Sequence, residues 1–403
     1  MLRKSLDLLF YAVVLELTLG GGGRLTAIGP VTLRMVLFAL AVAATAIYFL
    51  RFNERLPGNL AWLTAGFVLM LIIGVALGIV NGSTPAAIWE DVKPLLYFFL
   101  LPFVFFSINN APTLSKIFKY VSVGMAVVFI GILVAIHSGI IPFLSFYHTV
   151  LDTGEFFFRG ELTFFYKGFL YLCIGLIFLL EDKGRKWQIF VVVTAILLTV
   201  TRGFWLSLLL TYGAYYAVFS TKKIRAAILI LMASVLLIFG QDLIVTISKT
   251  VDQEVHSSGE GAARPYLFGD RTHSDNERMR QIFQVRERVT PTSAMIGHGF
   301  GQGIPSRPIH MEISYLEIFH KQGIIGLAVW AAIFGYGVRL FLRLRSDPYS
   351  VPFFLSFVFV FIQSLSNQFI NNPIGLFMII ITLSYFEKKI PRADVAGESS
   401  RSL

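Results

Sequence analysis

Seven arginines, Arg264, Arg271, Arg278, Arg280, Arg286, Arg288 and Arg307, lie between Ser248 and Gln322, a polar stretch flanked on both sides by apolar, helix-length sequence. A guanidinium matches phosphate geometry with two parallel hydrogen bonds, so such a stretch suits an anion held at a membrane surface. The same stretch carries a glycine-punctuated turn, Gly297-His298-Gly299-Phe300-Gly301-Gln302-Gly303, and then His310, Glu312, Tyr315 and Glu317. A histidine or carboxylate there can take a proton from a hydroxyl, although a lone one is more often a hydrogen-bonded structural residue. The glycine run has neither the preceding strand nor the following helix of a dinucleotide fingerprint. Its physical content is a backbone able to approach a ligand closely, through Gly297, Gly299 and Gly301. Arg202, in Thr201-Arg202-Gly203-Phe204-Trp205, is costly so near the hydrocarbon unless it faces a cavity, a partner or the interface.

These residues must be positioned by membrane helices. Of 403 residues, 56% are apolar and only 14% charged, with mean hydropathy +0.72, whereas a soluble domain carries about 25% charged residues. The sequence therefore reads as an all-α integral membrane protein. The net charge of +10 follows membrane topology and gives no reason to invoke nucleic acid. Cys173 stands alone in an apolar run, which excludes an internal disulfide framework and a multi-cysteine metal site. No HExxH, Walker A or paired-cysteine pattern occurs, so no metal or cofactor is expected.

Apolar runs long enough to approach the ~20 residues of a bilayer crossing fall near 5–20, 31–50, 60–80, 94–107, 119–139, 165–180, 187–201, 203–220, 224–247, 323–342, 351–370 and 373–386, about twelve spans. Connections on one side hold Arg51, Arg55, Lys116, Lys183, Arg185, Lys222, Lys223, Arg343, Arg345, Lys388 and Lys389. The positive-inside rule then puts both termini in the cytoplasm and the long loop outside. The organisation expected is helices 1–9 over 1–247, an extracytoplasmic loop subdomain over 248–322, helices 10–12 over 323–390 and a polar tail over 391–403. Long loops translocate regardless of charge, so the arginines outside need a reason other than topology. Within the loop, 275–289 reads as an amphipathic helix with Met279, Ile282, Phe283 and Val289 as its apolar stripe, suited either to lying on headgroups or to covering a cavity. A second segment, 140–164, is rich in phenylalanine and reads as lying along the headgroups or as lining for a lipid or sugar.

Between Thr199 and Gly326 the order of motifs resembles the bacterial O-antigen ligases and O-antigen polymerases: Arg202-Gly203 with an aromatic, Arg278 (less well Arg280) opening a helix, Gly297-His298-Gly299-Phe300-Gly301, and Tyr315-Leu316 with Gly323 and Gly326. The resemblance implies a GT-C-like glycosyltransferase of the bacterial inner membrane. Its donor would be an undecaprenyl-diphosphate-linked oligosaccharide, with membrane lipid around it and a chain-length regulator as partner. Family ligases place a histidine three residues before the tyrosine-leucine pair; counting back from Tyr315 gives Glu312, with His310 two residues earlier, which tilts the reading from ligase to polymerase.

The chemistry implied is metal-independent, inverting glycosyl transfer. Arg202 and Arg278, supported by Arg280 or Arg286, would stabilise the departing diphosphate, and Glu312 or His310 would take the acceptor proton. A ligase acting on lipid A-core is the alternative within the class. A polysaccharide or lipid-linked sugar transporter is the alternative outside it, disfavoured because carriers usually show internal repeats with midplane sites.

Overall fold

The computed structural model describes residues 2–29, 31–52, 54–159, 162–181, 185–219, 224, 228–229, 231–232 and 271–390. Arg264, most of the expected span 224–247 and the tail 391–403 lie outside the described residues. The protein is a predominantly helical membrane protein. Its first half comprises α1 (Leu2–Leu19), α2 (Leu33–Phe52), α3 (Gly58–Val80), α4 (Pro85–Leu95), α5 (Leu100–Ser107), α6 (Ala111–His137), α7 (Phe143–Leu151), α8 (Leu170–Glu181), α9 (Lys186–Leu198) and α10 (Arg202–Phe219). Its second half comprises α11 (Arg271–Arg288), α12 (Pro291–Ile296), α13 (Ser314–Arg343), α14 (Ser350–Gln363) and α15 (Pro373–Lys389).

Four helices among the described residues, α2, α3, α6 and α13, are long and apolar enough to cross a membrane. The shorter apolar helices explain themselves by position. In α8, Leu170 to Leu179 are all buried, and so are Ile374 to Phe386 of α15. A helix apolar on every face is one surrounded by other helices, so α8, α14 and α15 form the centre. The longer α3, α6 and α13 pack outside them, α6 against α8 and α3 against α13. The span expected at 94–107 is divided into α4, a 3-10 turn over Leu96–Phe99, and α5, with Pro94 inside α4 and Pro102 inside α5. A proline removes an amide donor from the helical ladder, which accounts for a break here.

The helical character matches the all-α expectation, with two small antiparallel hairpins among the described residues, β1 (Ala27–Ile28) with β2 (Val31–Thr32), and β3 (Phe156–Arg159) with β4 (Thr163–Tyr166). Phe-Phe-Phe-Arg and Thr-Phe-Phe-Tyr favour a pleated, half-buried surface. Part of the 140–164 segment packs onto the helices, with Phe164 edge-on to Phe129 of α6 at 5.0 Å. Arg159 at the end of β3 donates to the Val200 carbonyl at 2.6 Å, and Thr163 donates to the Leu198 carbonyl at 2.8 Å. The hairpin thus holds the turn that leads into Arg202. Val200 in that turn has φ +50°, a left-handed conformation rare for a β-branched residue. Such strain persists only where neighbouring contacts fix it, and it clusters at functional sites.

Candidate functional site: two charge clusters beside a glycine turn

The glycine turn is a seam between helices. Gly297, Gly299 and Gly301 have φ of 79°, 88° and 80°. A Cβ on Gly299 would come within 2.1 Å of the Gly78 backbone nitrogen, so only glycine lets the turn meet the end of α3. The amides bind protein: Gly297 donates to the Ser293 carbonyl, His298 to His320, Gly299 to Lys321 and Phe300 to Gly74, all within 2.9 Å. Gly301 donates to Asp91 Oδ2 at 2.7 Å. The close approach expected toward a ligand is made toward α3, α4 and α13. On the opposing side α13 breaks at Gly323 (φ 65°, ψ −160°), which separates a short polar start from the apolar remainder.

That polar start carries the first cluster. Lys321 is 1% exposed, and its ammonium donates to Asp91 Oδ1 and Glu317 Oε1 at 2.6 Å each and to the Ile309 carbonyl at 2.5 Å. Glu317 and Lys321 are one helical turn apart, whereas Asp91 arrives from α4. Glu317 Oε2 accepts from Gln368 at 2.9 Å and Asn371 at 2.7 Å, so every oxygen of this buried carboxylate is used. Burial pushes the Asp91 carboxyl above its ordinary range, opposed by the Lys321 ammonium and the Gly301 amide. His310, on the exposed rim, turns Nδ1 toward Glu317 Oε1 at 3.3 Å and Asp91 Oδ1 at 3.5 Å. A ring nitrogen facing two carboxylates is the N–H, which leaves Nε2 as the site for a proton in neutral imidazole. Asp91, His310 and Glu317 bring three potential metal ligands within 4.8 Å. The Lys321 ammonium already sits against both carboxylates and supplies the compensating charge, so the arrangement suits a lysine better than a cation from solution.

The second cluster lies two residues along the chain. Glu312 Oε2 accepts from Arg278 Nε at 3.1 Å and Oε1 from Arg307 Nη2 at 2.5 Å. Its backbone amide donates to Gln281 Oε1 at 3.0 Å, from the buried face of α11. The apolar stripe, Met279, Ile282, Phe283 and Val289, points outward from the protein. The docked face is Arg278, Gln281, Val285 and Arg288, at helical spacing of three and four, with Arg288 donating to the Gly303 carbonyl at 2.7 Å. Buried polar groups are tolerated when hydrogen-bonded, and here the Gln281 oxygen receives the Glu312 amide. The helix starts at Arg271, earlier than expected.

The expected site residues therefore divide. Arg278, Glu312 and His310 are brought to one place. Arg280 is largely exposed and paired with Glu277 at 3.5 Å, and Arg286 is exposed on α11, so neither joins Glu312. Tyr315 donates to the Phe361 carbonyl at 2.9 Å, which fixes α13 to α14. Arg202 opens α10, half-buried; a Cβ on the next residue, Gly203, would meet Ser366 Oγ at 3.1 Å and Gln363 Nε2 at 3.2 Å. The same 363–371 segment supplies Gln368 and Asn371 to Glu317, and the Asn367 carbonyl accepts from Ser314 Oγ at 2.9 Å. Arg202 thus opens its helix beside the segment that anchors the buried cluster. Asp91, Arg307 and Lys321 were not singled out from sequence as site residues. The four-residue spacing of Glu317 and Lys321 was a usable signal; nothing local marks Asp91.

No family model matches the chain. Over 375 residues it is 27% identical to an O-antigen polymerase of Shigella flexneri, covering 91% of this chain and 90% of that protein. Along nearly its whole length the chain is similar to that polymerase. The similarity runs nearly end to end, so it includes both clusters and the helices that carry them. In this chain the departure at Glu312 has a structural correlate: the position three before Tyr315 holds a carboxylate gripped by arginines, and the histidine stands two residues earlier.

Proposed function

We propose that this protein is a glycosyltransferase that polymerises oligosaccharide repeat units carried on undecaprenyl diphosphate, at the periplasmic face of the bacterial inner membrane. The near-full-length similarity to an O-antigen polymerase carries the reading. The topology that goes with it is a GT-C-like bundle of about twelve spans with both termini cytoplasmic, the 248–322 loop outside between helices 1–9 and 10–12, and the tail after residue 390 inside. A chain-length regulator would act as partner.

In the reaction the acceptor hydroxyl oxygen attacks the anomeric carbon of the donor sugar, and the bond from that carbon to the diphosphate oxygen breaks. The electron pair leaves with the diphosphate, where negative charge grows. Arg278 and Arg307, with Arg202 from the adjoining helix, would stabilise that charge through contacts that strengthen as it develops. His310 Nε2 would take the hydroxyl proton, and Glu317 and Asp91 would stabilise the imidazolium through Nδ1. Of the two candidate bases, geometry favours His310, because both Glu312 oxygens are already engaged by guanidiniums and neither is left to accept a hydroxyl proton. A single displacement inverts the anomeric centre and needs neither metal nor nucleotide.

The test uses purified protein in detergent with lipid-diphosphate-linked repeat units alone. Glycan lengthening with release of undecaprenyl diphosphate is expected, and His310→Ala and Arg278→Ala should each lower turnover by roughly 100-fold or more. Lipids returned chemically unchanged would replace this reading with the transporter, and transfer occurring only to added lipid A-core would replace it with the ligase.

A further inference from the structure

Glu312, Arg278 and Arg307 differ in kind from the buried cluster beside them. Their side chains are 27%, 32% and 41% exposed, against 5% or less for Asp91, Glu317 and Lys321. Ion pairs this open are worth little and exchange easily. Their backbones, by contrast, are fixed. The Glu312 amide is held by Gln281 at 3.0 Å. Arg307 and Ile304 exchange backbone hydrogen bonds at 3.0 and 2.9 Å, and Ser306 between them is tied to Gln284 of α11 by its amide at 3.1 Å and its hydroxyl at 2.7 Å. The exposed parts of the three are their side chains. The two guanidiniums come from separate elements and converge on one carboxylate, one on each oxygen, as they would on two oxygens of a phosphate group.

We propose that Glu312 is a resident anion that competes with the diphosphate for Arg278 and Arg307. In the empty site it offsets one of the two positive charges and holds the two guanidiniums at a separation suited to phosphate. When the lipid diphosphate arrives, Glu312 swings away and the guanidiniums transfer to phosphate oxygens. After sugar transfer its return helps to expel the product diphosphate. No covalent bond changes; one anion replaces another on the same donors. With Glu312 the three side chains sum to +1, and without its charge they sum to +2. A site open to ligand for only a fraction of the time binds with an apparent affinity reduced by that fraction, so Glu312 weakens diphosphate binding and speeds release. Arg307 becomes the second anion-binding arginine, beside Arg278.

This inference rests on the diphosphate reading above, and its test separates the two. Binding of inorganic pyrophosphate to the purified full-length protein is measured calorimetrically for wild type, Glu312→Gln, Glu312→Asp, Arg307→Ala and Arg278→Ala. Glu312→Gln is expected to bind about five- to tenfold more tightly than wild type, the scale set by two partly exposed pairs. The Asp variant, too short to bridge both guanidiniums, should gain less, and both arginine variants should bind more weakly. In turnover, Glu312→Gln should lower KM for the lipid-linked donor and lower kcat through slow release, with the shape of the pH–rate profile retained. Equal pyrophosphate affinity in wild type and both Glu312 variants overturns the proposal while leaving the diphosphate site standing. So does a Glu312→Gln enzyme whose KM is unchanged and whose pH–rate profile loses its basic group, which would make Glu312 the base. If the Gln variant does not fold, the Asp variant alone decides by the same comparison. Pyrophosphate binding absent from every variant and from wild type, at concentrations well above those of the lipid donor, takes down both readings.

Discussion

Lys321 is a residue whose loss can be read without substrate. Its ammonium lies 2.6 Å from two buried carboxylates, Asp91 and Glu317, with the rim histidine His310 beyond them and the Gly301 amide on the far oxygen of Asp91. Removing one partner of a buried pair leaves uncompensated charge and costs about 3–5 kcal/mol. Lys321→Met should therefore lower the melting temperature in detergent at pH 8, and the deficit should shrink toward pH 5. The sign follows from Asp91. Burial already raises its proton affinity above that of the unfolded chain, and loss of the ammonium raises it further. The folded variant then binds the proton more readily than the unfolded chain does, so stability rises as pH falls through the folded value. A pH-independent deficit would show that Lys321 acts through packing alone. The double variant Lys321→Met, Asp91→Asn should recover part of the loss at pH 8, because one of the two stranded charges is gone.

The glycine seam gives the prediction that belongs to elements. On Gly299 a methyl group would strike the Gly78 backbone at 2.1 Å, and φ there is 88°. Neither obstacle is a flexible side chain, so Gly299→Ala should cost at least about 2 kcal/mol and lower turnover by parting α3 from the polar start of α13. Gly131→Ala, in α6 with nothing near its added methyl, should be neutral or stabilising by up to about 1 kcal/mol. Equal melting temperatures for the two variants would remove the seam from the account. Most helix positions were legible because apolar length alone marks a membrane helix; α2, α3 and α6 lie within a few residues of the expected spans, apart from the earlier start of α6. For α11 the sequence left two orientations open, on headgroups or over a cavity; the helix docks on a polar site through Arg278, Gln281 and Arg288 and leaves Phe283 outside. The pairing of Lys321 with Asp91 was hidden, since the two are 230 residues apart and only the packing of α4 against the glycine turn joins them. Arg278 was legible because an isolated cationic helix in an apolar chain needs an anion; which anion it meets first, Glu312, was not.

At the scale of the whole molecule the question is which side of the membrane holds the site. The 30-residue α13 fixes the geometry. Beyond its break at Gly323 it runs from Ile324 to Arg343, about 30 Å at about 1.5 Å per residue, which matches the hydrocarbon core of a bilayer, so Arg343 is expected at the surface opposite His310. The far end carries Arg339, Arg343 and Arg345, and the C-terminal end of α15 adds Lys388 and Lys389, a basic rim of the sort that stays in the cytoplasm. Cys173, the single cysteine, is fully buried, so the natural sequence serves as its own background for labelling. Thr292→Cys, exposed beside the glycine turn, and Ser346→Cys, exposed after α13, therefore mark the two ends. In cells whose outer barrier has been opened but whose inner membrane is intact, an impermeant maleimide should modify Thr292→Cys within minutes. Ser346→Cys should stay unmodified until the inner membrane is made permeable. The reverse pattern would put the arginines and His310 on the side where nucleotide-activated sugars are available. A donor that carries its own activation in a lipid diphosphate would have no advantage there, so the choice of donor and the sidedness of the site stand or fall together.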